Sequence, residues 1–238
     1  MKYVLIALIL ALTLGYTAVY TPDVDQSPVD IPDESETKMT IHVLTVEDES
    51  ALVKDVETNS LYYLAHKETE AFGINMAVGQ MLDVYWDGIV LTSYPGQFGG
   101  LHKVELIAER KATVETIVRD LLAHLRDERP EWFSDMEILS VDLSESRLTD
   151  MQQEAAMFVL ASLPFAEDVR LLRFSRDELI EMGTITEGEP WHGRIVKIVK
   201  DDGNSYTLTV SSGEADDSEQ VVVSVVWVDQ RYHLTTKE

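Results

Sequence analysis

Short strand-like runs fall at Thr40–Val46, Ala51–Val56, Leu61–His66, Met81–Trp86, Ile89–Thr92 and Leu101–Ala108, and the two faces alternate along Thr40–Val46 and Met81–Trp86. Such alternation marks short strands with one face buried. Polar turns separate the runs, among them Glu57-Thr58-Asn59-Ser60 and Asp87-Gly88. Five or six short strands predict a mixed fold that begins with a small closed β-barrel, OB-like, over residues 38–110. Within Met81–Trp86, Leu82, Val84 and Trp86 are expected to face inward. Met81, Asp83 and Tyr85 then face the other way.

The period changes between Glu109 and Thr113. Val114, Ile117, Val118, Leu121, Leu122 and Leu125 form one helical stripe, with Thr113 as its cap and Pro130 past its end. Met136–Leu143 reads as a strand. Thr149 and Gln152 make a capping box for a second helix, whose apolar run Ala155–Ala161 predicts burial on most sides and which Pro164 ends. Val169–Phe174 reads as a strand, and Ser175 with Glu178 opens a short helix that stops at Gly183. Strands follow at Trp191–Lys200, Ser205–Ser211, Val221–Val228 and Arg231–Thr235. Residues 113–238 are thus expected to form an α+β domain with a C-terminal antiparallel meander, and residues 38–110 to fold alone.

Residues 3–22 carry no charge, and Lys2 precedes them. Asp23, Asp25, Asp30, Asp33, Glu34 and Glu36 follow, interleaved with Pro22, Pro28 and Pro32. Residues 1–20 therefore read as a signal peptide or N-terminal membrane anchor, and residues 21–37 as an acidic disordered tether. Thr13 and Gly15 make a weak cleavage site, so the retained anchor is the preferred form. The protein is placed in the cell membrane as a single pass with its C-terminus outside, or secreted after cleavage.

Against 43 Asp and Glu stand only 19 Lys and Arg, a net charge of −24. Such a surface repels phosphate backbones, which argues against a nucleic-acid partner. Cysteine is absent. Stability outside the cell must then come from packing rather than disulfides, and a lipoprotein anchor has no residue to carry it.

The run Val78-Gly79-Gln80-Met81-Leu82-Asp83-Val84-Tyr85-Trp86-Asp87-Gly88-Ile89-Val90-Leu91-Thr92-Ser93-Tyr94-Pro95-Gly96-Gln97 resembles a signature of small exported bacterial domains of unknown function. The resemblance implies an OB-like barrel and an extracytoplasmic location, and carries over no catalytic residue. Read by itself, Ser93-Tyr94-Pro95-Gly96 predicts a type II turn, with Pro95 presetting φ and Gly96 accepting a positive one.

No pair among His42, His66, His102, His124, His192 and His233 has zinc-site spacing. His66 with Glu68 and Glu70 reads as a solvated turn. Asp201-Asp202-Gly203-Asn204 reads as a hairpin turn rather than a calcium loop. The acidic segment 214–219 reads as a solvated loop that could hold cations loosely. A nucleophile elbow is absent. No metal, cofactor or catalytic residue is assigned. Aromatic residues gather in the first half, and OB-like barrels bind ligands through exposed rings. The expected ligand face is Tyr62, Asp83, Tyr85, Tyr94 and Phe98, for a glycan or a protein partner. The chain thus reads as an extracytoplasmic binding protein. The rival readings are an envelope hydrolase and a structural or assembly subunit. N-terminal sequencing of protein from its native host is expected to return the uncleaved Met1 or Lys2 start. A mature start at Tyr16 would establish a cleaved signal.

Overall fold

Alternation does produce strands. The first seven are β1 (Thr37–Val46), β2 (Ser50–Asp55), β3 (Leu61–Ala65), β4 (Met81–Trp86), β5 (Val90–Leu91), β6 (Gly96–Phe98) and β7 (Leu101–Ala108). They form one mixed sheet in the order β5-β6-β3-β2-β1-β4-β7. Neighbours run antiparallel except β3 and β6, which are parallel. The computed structural model describes residues 37–109, 111–166, 169–212, 218–228 and 231–237. The expected anchor and nearly all of the tether fall outside them, as does most of segment 214–219. No helix among the described residues is long and apolar enough to cross a membrane.

The first sheet is not the closed barrel expected. Its end strands, β5 and β7, do not pair among the described residues. A two-residue β5 with exposed side chains offers too little ladder to close on. The sheet is nonetheless strongly curled. Trp86 on β4 and Phe98 on β6 lie four strand spacings apart, about 19 Å in a flat sheet. Their rings meet edge to face at 5.3 Å. The chain itself joins the two sides of the curl, because β6 runs into β7 across Gly99-Gly100. Asp87 braces that bend by accepting from the Ile89 and Gly100 amides. Ile41, Val43, Val53, Leu82, Val84 and Trp86 fill the inside, with Met76 from the preceding loop.

The type II turn expected at Ser93–Gly96 is also absent. The Tyr94–Pro95 peptide is cis, and Gly96 is the buried first residue of β6, with no positive φ. Gly96 serves close approach instead. A Cβ there would sit 2.9 Å from Val90 Cγ1 and 3.0 Å from Tyr62 Cδ1. Only glycine lets β6 lie between its neighbours at this point.

The second half holds β8 (Ile138–Asp142), β9 (Arg170–Leu172), β10 (Gly193–Lys200), β11 (Ser205–Ser211), β12 (Ser218–Val228) and β13 (Arg231–Lys237). Their order is β13-β12-β11-β10-β8-β9. β10 to β13 are the antiparallel meander that the alternation predicts. β8 lies parallel to both β10 and β9, which makes this sheet mixed too. Parallel neighbours need a long crossover, and helices stand at those places in the chain.

The helices are α1 (His66–Glu70), α2 (Val114–Glu128), α3 (Asp150–Ala161) and α4 (Arg176–Glu181). Capping boxes at Thr113, Thr149 and Ser175 start the last three. The α2 stripe Ile117, Val118, Leu121, Leu122 and Leu125 enters the core over the second sheet. α3 has two buried faces. Ala156 and Leu160 join that same core, while Ala155 and Val159 pack on Leu44, Leu52 and Leu61 of the first sheet. A helix between two sheets needs apolar residues on opposite sides, which explains the unbroken run Ala155–Leu160.

Among the described residues no strand of one half pairs with a strand of the other, yet Ser35–Glu238 form one compact unit. One buried ion pair crosses the seam between the halves. Lys54 Nζ on β2 donates to Glu115 Oε1 in the first turn of α2 at 2.6 Å, with side chains 6% and 0% exposed. Removing one partner leaves the other charged and without compensation in a dry site. Lys54→Met is expected to lower stability by about 3–5 kcal/mol in urea denaturation. The double variant Lys54→Met/Glu115→Leu should recover most of that loss. Simple addition of the two single losses would show that the pair is not coupled.

Candidate functional site

The five residues expected on one ligand face fall in three places. Tyr62 lies inside the curl, stacked on the buried Phe98 with ring centroids 4.9 Å apart. Asp83 and Tyr85 point to the opposite face of the sheet, as alternation along β4 requires. Asp83 accepts from Thr40 Oγ1 and pairs with Lys38 Nζ, both at 2.6 Å. Burial pushes this carboxyl up, but the Lys38 and Thr40 hydrogen bonds outweigh it and hold the group below the usual carboxylate range. The half-buried Tyr85 ring lies between the Lys38 and Lys103 ammonium groups, 5.6 and 5.0 Å from its centroid. Its hydroxyl donates to Glu105 Oε2 at 3.0 Å. Asp83, Tyr85 and Glu105 thus spend their polar groups on neighbours in the sheet. Tyr94 stands apart, 58% exposed, with its ring 5.9 Å from Phe158 of α3.

A concave site does form, from residues that the sequence pattern assigns to turns. The turn between β1 and β2 carries Glu47, Asp48 and Glu49. It is closed by the Glu47 amide donating to Ser50 O at 2.9 Å. α1 follows β3 directly, and the His66 amide donates to Glu49 O at 3.0 Å, which fixes α1 beside that turn. β5 and β6 supply the far side. Between these elements lies a cavity of about 760 Å³. Glu47, Asp48, Glu49, Glu68 and Glu70 line it with carboxylates, against Lys67 and His66. Its apolar surface comes from Tyr63 and Leu91; Phe98 borders it, with its ring turned into the curl against Tyr62 and Trp86. Leu91 is 52% exposed.

The electrostatics of this cavity are one-sided. Burial, and then the nearby Glu47 carboxylate, push the Tyr63 phenol up, so it stays a neutral donor. His66 Nε2 is buried without a hydrogen-bond partner. Carboxylates only accept hydrogen bonds when ionised. In a concave site their fields add and raise the local concentration of cations. Among the described residues no three His, Asp or Glu side chains gather closely enough to hold a metal ion. The geometry suits a cationic donor carried on an apolar body.

Of the expected residues, only Phe98 lines this cavity. The clue present in the sequence was His66 with Glu68 and Glu70, which read there as a solvated turn. What could not be read was that β5 and β6 bring Leu91 and Phe98 across to them. The chain matches no known family model, no curated protein and no solved structure.

Proposed function

We propose that this protein acts by binding, and that its ligand is a basic, partly apolar segment of another protein. The observation that carries this reading is the cavity between the β1–β2 turn, α1 and the β5–β6 pair, with five carboxylates over an apolar surface of Tyr63 and Leu91. A lysine or arginine side chain buries its methylene stem against such a surface and leaves its charge to the rim. The net charge of −24 favours the same class of partner and disfavours nucleic acid.

The same reading takes the first sheet as an OB-like barrel left open at its edges. The contact of Trp86 with Phe98 and the continuous chain from β6 to β7 support it. It also places the protein outside the cytoplasm, tethered or secreted, on the strength of the uncharged residues 3–22 and the acidic stretch behind them. Glycan binding at Tyr85 is the second reading, supported by the half-buried ring beside Asp83 and Glu105.

Fluorescence anisotropy with a labelled peptide of alternating lysine and leucine tests the proposal. Saturable binding is expected, weakening as salt is added. Glu47→Gln/Glu68→Gln should weaken it about two- to thirtyfold, since each of the two exposed charge pairs contributes roughly 0.2–1 kcal/mol. Leu91→Asp should remove the apolar contact and change affinity in the same direction. Tyr85→Ala should bind as wild type does. No saturation, or equal binding by the groove variants and wild type, would overturn the reading. Glycan-array binding lost on Tyr85→Ala would transfer the site to the Asp83–Tyr85 face.

A further inference from the structure

The seam between the first sheet and α2 holds more than an ion pair. His42 on β1 stands opposite Lys54 in the ladder with β2, and it is 9% exposed. Its Nε2 is buried and has no hydrogen-bond partner. Glu115 Oε2, the carboxylate oxygen that Lys54 does not engage, is also buried and without a partner. Three titratable side chains from three elements therefore meet in a dry place with one bond made and two polar atoms unsatisfied. Buried polar atoms without partners are rare, because each forfeits its hydration.

We propose that His42 makes this seam acid-labile: taking up a proton on His42 loosens α2 from the first sheet. The charged groups facing the imidazole are Lys54 from β2, Lys111 from the connection into α2, and Glu115 from α2 itself. Burial comes first among the influences and disfavours the charged imidazole, then Lys54 and Lys111 repel it, and Glu115 attracts it. Their balance holds His42 below the ordinary imidazole value of about 6.5. The unfolded chain, with His42 in water, therefore binds the proton at a higher pH than the folded chain does. Stability from this site is complete above about pH 6.5, falls as the pH drops below it, and is fully lost below the folded value. The loss is local in its first effect. The site touches the start of α2 and the middle of β1, whereas the second core, over the other sheet, holds no part of it.

Hydrogen exchange measured on the whole chain tests this. Protection of the α2 amides, corrected for the intrinsic pH dependence of exchange, is expected to fall at least about threefold from roughly pH 7.5 to roughly pH 5.5, a window centred on the histidine range. His42→Gln, neutral at both values, should show no such fall. The remaining five histidines are common to both proteins, so the difference isolates His42. Histidine resonances followed by NMR in the wild-type chain give a second readout that needs no variant. The His42 imidazole should titrate below about 6.5. Titration at or above that value, or the same pH dependence of α2 protection in both proteins, would overturn the proposal.

Discussion

The arrangement of the two halves depends on the contact of Lys54 with Glu115. The apolar part of the seam, where Leu44, Leu52 and Leu61 meet Ala155 and Val159, is not directional, and such surfaces tolerate sliding. A hydrogen-bonded ion pair 2.6 Å long between side chains almost fully removed from water does not. Any register of α2 on the sheet other than this one leaves a buried charge without a partner, which costs several kcal/mol. Glu115 also sits in the first helical turn, where a carboxylate opposes the partial positive charge of the helix N-terminus. Two separate contributions therefore hold the Glu115 side chain at this place. The pair is better understood as a device that selects one docking geometry than as a large net source of stability.

With α2 placed, α3 has little choice. It packs beside α2 over the second sheet through Ala156 and Leu160, and its other side must cover the apolar strip of the first sheet. Alanines at positions 155 and 156 keep both approaches close. The crossover from β8 to β9 runs through this helix, so the parallel part of the second sheet and the seam are parts of one construction. A change of volume at Ala155 or Val159 is therefore felt in both halves, because neither neighbour can move without disturbing its own sheet.

Much of this was legible in the chain. The strands announced themselves by alternation, and the caps at Thr113, Thr149 and Ser175 were readable from spacing alone because they act over three residues. The inward set Leu82, Val84 and Trp86 followed from the period of the strand. Pairing was not readable. Nothing local says that β3 takes β6 as a parallel neighbour, that β8 adds in parallel to β10, or that Lys54 meets a residue 61 positions away. Gly96 shows the limit well. Its local context specifies a turn glycine, but its reason lies in Tyr62 and Val90, which only the folded sheet brings near. The ligand face failed to assemble for the same cause. Alternation correctly sends Asp83 and Tyr85 away from the core, but it does not reveal that Lys38, Thr40, Lys103 and Glu105 wait there to occupy them.

If the groove binds as proposed, a strongly acidic chain can still discriminate. A diffuse charge of −24 attracts cations everywhere and distinguishes none of them. Placing five carboxylates on two short, hydrogen-bonded elements around Tyr63 and Leu91 adds a second requirement, an apolar body of limited size. Salt weakens the first contribution and leaves the second largely intact. A cation without an apolar part meets only the field, which it finds equally over the rest of the surface. A ligand with both gains from removing apolar area from water as well as from the rim. Selectivity then rests on the elements that fix the rim to the floor: the turn closed at Ser50, the amide of His66 bonded to Glu49, and the Gly96 contact that lets β6 lie beside β3.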